Sequence, residues 1–106
     1  MDYQFTNDKP IYLQLMEVFK VAIVSGELPK GQRLESVRDL AVVAKVNPNT
    51  MQKALAELER IGLVRTERTS GRFITDDEEL ILNMKKELAE KEIQAFLEKM
   101  KSMGLT

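Results

Sequence analysis

Val46-Asn47-Pro48-Asn49-Thr50-Met51-Gln52-Lys53-Ala54-Leu55 decides the reading of this chain. Asn47 is a strong helix N-cap, because its side-chain oxygen accepts from a free backbone N–H in the first turn. Pro48 follows at the first helical position, where its missing N–H costs nothing and its fixed φ suits a helix. The helix that starts here shows solvent Asn49, Thr50, Gln52 and Lys53. Met51, Ala54, Leu55, Leu58 and Ile61 recur on the opposite side at helical spacing. A short helix with an apolar back and an amide-rich front suits the major groove of duplex DNA. Asn and Gln pair bidentately with adenine, Thr reaches a base edge or a phosphate, and Lys neutralises a phosphate. Taken alone, such a stretch is more often an ordinary amphipathic helix with a polar face.

The flanks change that balance. Ser36-Val37-Arg38-Asp39-Leu40-Ala41-Val42-Val43-Ala44 precedes it. Ser36 with Asp39 three residues on resembles a capping box, with Asp in place of Glu. Val37, Leu40, Ala41 and Ala44 then mark one face of a short helix. Two short helices joined around Lys45-Val46 make a helix-turn-helix, whose second helix enters the major groove. Gly62 stops that second helix. Leu63–Thr66 and Arg72–Thr75 read as two short strands, with Thr69-Ser70-Gly71 as the turn between them. The fold class is therefore mostly α with a small β-hairpin: a winged helix-turn-helix plus a C-terminal dimerisation helix.

Several motifs in order make the chain resemble the GntR family of bacterial transcription regulators, in its YtrA-like branch. The resemblance opens at Pro10-Ile11-Tyr12-Leu13-Gln14-Leu15 and runs through Ser25–Ala41 and Val46–Met51 to the wing, Gly71-Arg72-Phe73-Ile74. Three positions depart from the family pattern. Glu35 stands where Pro is usual, the wing tip Thr69-Ser70-Gly71-Arg72 has fewer glycines, and Pro48 replaces a frequent Arg. The resemblance implies a DNA-binding regulator in which Arg38 matches the family's DNA-contacting Arg. It further implies a link to a transporter operon.

Composition bounds the alternatives. A chain of 106 residues makes one small domain with an appended helix. Zero Cys and zero His remove thiolate chemistry, the commonest metal ligand and the commonest general base. No phosphate loop or nucleophile motif occurs, so neither an enzyme nor a cofactor is expected. No apolar run is long enough for a membrane, and residues 1–20 do not read as a secretory signal. A cytoplasmic location is expected. Net charge is −1, but residues 30–75 hold nine Lys and Arg against five Asp and Glu, while residues 76–106 hold five against eight. That asymmetry suits a basic reading head on an acidic partner-binding tail.

Residues 1–9 read as an extended arm that packs on the fold or on a partner. The first helix, Pro10 to Ser25, buries Ile11, Leu15, Val18, Phe19, Ala22 and Ile23. Tyr12 falls off that stripe, at the core edge or against a partner. Arg33-Leu34 reads as a one-bridge strand against the wing. A last helix starts near Thr75 or Asp76, each with a Glu three residues on. The four carboxylates from Asp76 to Glu79 favour the positive helix end, a stronger reading than a metal site. Beyond it, Ile81, Met84 and Leu88 form one stripe, and Ala89, Ile93, Phe96, Met100 and Met103 a rotated second one. The switch falls at Glu90-Lys91-Glu92, where a bend or a local change of packing partner is expected. Gly104 takes the left-handed stop with Leu105 folded back, and Thr106 stands as an N-cap. The chain is thus either a shortened version of a longer one or a minimal member.

The domains expected are a DNA-binding winged helix-turn-helix over residues 1–75 and a helical dimerisation tail over 76–106. DNA-binding residues are Arg33, Arg38, Lys45, Asn47, Asn49, Thr50, Gln52, Lys53, Arg68 and Arg72. Arg68 and Arg72 sit on the hairpin, aimed at the minor groove. Dimerisation residues are Leu80, Ile81, Met84, Leu88, Ile93, Phe96 and Met100. The partners expected are double-stranded DNA and a second copy, with no membrane. The function is a homodimeric repressor on a palindromic operator; the alternative is a winged helix that binds protein without specific DNA binding. Whether a small-molecule effector lodges near Met84, Leu88 or Phe96 stays open.

Overall fold

Ser36 and Asn47 start the two short central helices as their side chains dictate. The computed structural model describes residues 1–105; Thr106, with the cap read onto it, lies outside the described residues. Helix α1 spans Ile11–Ser25, α2 Val37–Ala44, α3 Pro48–Arg60 and α4 Glu78–Ser102, with strands β1 Val64–Glu67 and β2 Gly71–Ile74 between α3 and α4. Ser36 Oγ accepts from the Asp39 N–H at 3.1 Å, and Asn47 Oδ1 accepts from the Asn49 N–H at 2.7 Å.

The helices also end alike. After α3, the Gly62 N–H donates to Glu59 O and the Leu63 N–H to Leu58 O, with Gly62 at φ +87°. After α4, Gly104 and Leu105 repeat the pattern on Lys101 and Met100, with Gly104 at φ +77°. After α2 the same two bonds run from Lys45 to Val42 and from Val46 to Ala41. Here the left-handed position belongs to Lys45, at φ +59°. This paired-bond stop normally takes glycine, because a Cβ is crowded there. The turn of the helix-turn-helix thus carries a strain that the other two stops avoid.

The core lies where α1, α2, α3 and the hairpin meet. Leu15, Phe19, Met51, Leu55, Leu58, Leu63 and Ile74 are all fully buried. The hairpin pairs Val64 with Ile74 through Glu67 with Gly71, one residue later at its start than the sequence predicts, with Arg68–Ser70 as its turn. Arg33 forms the expected bridge to Phe73, and Leu34 N–H donates to Arg72 O at 2.8 Å. The arm folds onto its own chain: Tyr3 and Phe5 pack on the core, and the Met1 amine pairs with Glu27 at 2.6 Å. Burial, with Glu27 and Glu35 adding, raises the Tyr3 phenol above its usual pKa.

One expectation about α4 needs correction. Its cap is Asp77, which accepts from the Leu80 N–H at 3.1 Å, and neither Thr75 nor Asp76. Thr75 is still extended: its N–H donates to Leu63 O at 2.9 Å, continuing the hairpin and delaying the helix. At Glu90–Glu92 the helix is continuous, and its packing changes near there: Leu80, Ile81 and Met84 reach the core, whereas Ile93 and Phe96 are exposed. There Lys91 Nζ pairs with Glu17 of α1 at 3.9 Å.

Candidate nucleic-acid interface

Side-chain identity on α3 follows its burial. Met51, Ala54, Leu55 and Leu58 face the core, which turns Asn49, Gln52 and Lys53 to solvent and leaves Thr50 half-covered. Asn49 with Gln52, and Asn49 with Lys53, stand three and four residues apart, so they share one face. Asn47 lies at the edge of this face. Its oxygen is committed to the cap, so only its amide N–H groups remain to meet a ligand. Arg38, in the first turn of α2, is exposed and forms no ion pair among the described residues. Neither Asp39 nor Glu35 captures it, so its guanidinium is available beside α3. Lys45 is exposed in the turn between the helices.

The basic residues of the wing divide into different jobs. Arg68 sits at the exposed turn and is the only Arg of the hairpin's tip. Arg72 lies within β2 opposite Thr66, half-covered, and its buried Nε has no partner among the described residues. Arg33, read as a phosphate contact, is tied to the protein: its Nε donates to Ser70 O at 2.8 Å. Its guanidinium lies so close over Gly71 that an added Cβ would meet Nε at 3.2 Å. Arg33 therefore braces the wing tip against the loop before α2. Arg65 stacks on Phe73 at 4.8 Å and pairs with Glu67 and Asp76, which removes it from the reading face.

The seven apolar residues assigned to dimerisation also divide. Leu80, Ile81 and Met84 pack against the chain's own core. Leu88 is half-covered near Glu17 and Lys20 of α1. Ile93 and Phe96 are bare, at 58% and 61% exposed, whereas Met100 is half-covered. Sequence reasoning missed Leu97, which is exposed four residues after Ile93 and belongs to the same stripe. That i, i+4 spacing was the signal that would have found it. It also missed Val42 and Val43, both exposed on the outer side of α2.

Among the described residues no helix is long and apolar enough to cross a membrane, and no cluster of three or more acidic side chains could hold a metal ion. The family model for bacterial regulatory proteins, gntR family, matches residues 11–74. An uncharacterised HTH-type transcriptional regulator, YhcF of Bacillus subtilis (strain 168), is 42% identical over 106 residues, all of this chain and 88% of that protein. The HTH-type transcriptional repressor YtrA of the same organism is 41% identical over 68 residues, 64% of this chain and 52% of that protein. Among solved structures, a GntR family transcriptional regulator from Listeria monocytogenes superposes with a TM-score of 0.89 at 35% identity. That superposition covers 96% of this chain and 90% of that one.

Proposed function

We propose a function from one premise: the chain belongs to the gntR family of bacterial regulatory proteins, and is a DNA-binding transcription regulator, not an enzyme. The finer reading is a homodimeric repressor on a palindromic operator, with residues 1–75 as the reading head and residues 76–106 as the dimerisation tail. The observation that carries it is the front of α3. Asn49, Gln52 and Lys53 are exposed together at the start of a helix whose back is fully buried. Asn49 and Gln52 read base edges, with Thr50 at the margin. Arg38, Lys45, Lys53 and Arg68 hold phosphates and set register without reading sequence. YtrA bears the name of a repressor, which favours repression here. The bare stripe Ile93, Phe96, Leu97 supports the second copy, because an apolar strip of this kind marks an interaction surface. Two-fold pairing of the tails then presents two reading heads to two half-sites about one helical turn apart.

Selection of bound duplexes from a random pool, repeated at two salt concentrations, tests this reading. A palindromic half-site should emerge, with a salt slope that counts phosphate contacts. Asn49→Ala should then cost about 1–3 kcal/mol on the selected site and little on random DNA. Arg38→Ala should weaken both and lower the slope by about one unit. Equal losses for Asn49→Ala on both duplexes would remove it from base reading.

A further inference from the structure

The structure brings together two residues that the sequence set on separate elements. Lys53 Nζ of α3 lies 4.0 Å from the ring centroid of Tyr12, in the first turn of α1. This is a cation–π contact, favoured by the negative face of the ring. Its surroundings explain why Lys53 goes there. Glu57, one turn further along α3, would ordinarily capture it, but Glu57 is taken by Arg60 at 2.6 Å. The first turn of α1 carries no carboxylate. Lys53 makes no ion pair among the described residues, and the Tyr12 phenol makes no hydrogen bond among them. Tyr12 is half-covered, its ring packed on the core edge, so the pair has one fixed member and one exposed one.

We propose that Tyr12 and Lys53 form a composite site for one backbone phosphate of the DNA, which puts α1 as well as α3 on the duplex. The proposal rests on the DNA-binding reading above. The ammonium supplies charge and the phenol O–H donates a hydrogen bond to the same phosphate group. The ring holds the ammonium in place before DNA arrives, so less side-chain freedom is lost on binding. A Lys left free on this face would swing across the groove; one seated on Tyr12 is directed to the flank of the reading helix. The site reads no base, so its effect on affinity is the same for every sequence.

The experiment measures affinity for the selected operator and for a random duplex of equal length, over a salt series. The proteins are wild type, Tyr12→Phe, Tyr12→Leu, Lys53→Ala and the Tyr12→Leu/Lys53→Ala double variant. Tyr12→Phe keeps the ring and its packing, and thermal melting confirms that the fold is intact. It should weaken binding to both duplexes by roughly ten- to a hundred-fold, the loss of one hydrogen bond to a charged group. Lys53→Ala should lower the salt slope by about one. Tyr12→Leu should cost less in the Lys53→Ala background than in the wild type, because the two residues act as a unit. Wild-type affinity for Tyr12→Phe, or a loss confined to the operator, overturns the composite site while leaving the DNA-binding reading in place. Failure of wild type to bind any duplex overturns both.

Discussion

Leu55 in α3 and Phe96 in α4 occupy apolar stripes of similar spacing, yet Leu55 is 0% exposed and Phe96 61%. The α3 stripe meets α1, α2 and β1, so one chain closes that core. The α4 stripe divides at about Leu88. Before it, Leu80, Ile81 and Met84 still reach the core; after it, the helix runs into open solvent. Both regions are helical, but for different reasons. In the head, helicity is fixed by burial of a continuous apolar face. In the outer half of α4 it rests on propensity, the Asp77 cap and the Gly104 stop, which give marginal stability in water. A helix that is complete in backbone terms is thus incomplete in packing terms, and the proposed second copy supplies the missing surface.

The largest effects separate the two regions directly. Leu55→Ala should destabilise the head by about 2–5 kcal/mol, since it opens a cavity under α3. The pair Ile93→Asp and Phe96→Asp should leave the head's thermal unfolding unchanged and convert the protein to a monomer by sedimentation. If those tail changes melt the head as deeply as Leu55→Ala does, the two regions are not separate. A sharper contrast uses glycine. Gly71→Ala places a Cβ at φ +107° and within 3.2 Å of Arg33, so strain and displacement act together. A loss of about 1–3 kcal/mol is expected, with wing resonances shifted in NMR spectra. Gly104→Ala, at φ +77° with nothing within 4 Å, should fray only the last turn of α4 and leave the head's melting temperature in place. The smallest effect is of opposite sign. Lys45→Gly relieves the left-handed strain of the central turn and should stabilise the head by about 0.5–1 kcal/mol in denaturant titrations.

The elements were legible because local chemistry fixed them. Ser36, Asn47, Pro48, Gly62 and Gly104 punctuate the chain, and each does in space what its side chain dictates. The cap of α4 was not legible, because Thr75, Asp76 and Asp77 are all competent caps. The choice was made by the Thr75–Leu63 bond, a partner twelve residues away. The front of α3 was readable from spacing alone, whereas the jobs of the arginines were not. Arg33 and Arg68 look equivalent as letters, yet Arg33 is anchored to Ser70 and Arg68 is at the exposed turn. The Lys53–Tyr12 contact was invisible for the same reason: it depends on how α1 packs across α3. The left-handed stop at Lys45 was not legible either, because the paired-bond stop normally takes glycine.

The brace between Arg33 and the wing has a kinetic consequence. Arg33 and Ser70 are 37 positions apart, and the segment between them contains α2 and α3 entire. Contacts of such separation must overcome the entropy of closing a long loop, whereas the helices form from local contacts. The hairpin itself closes locally, so it is its docking onto residues 32–34 that is expected to come last, after the two helices have shortened the path. On this route the amides of Leu34 and Ile74, which donate to Arg72 O and Gln32 O across that closure, become protected from hydrogen exchange only at the final step of folding.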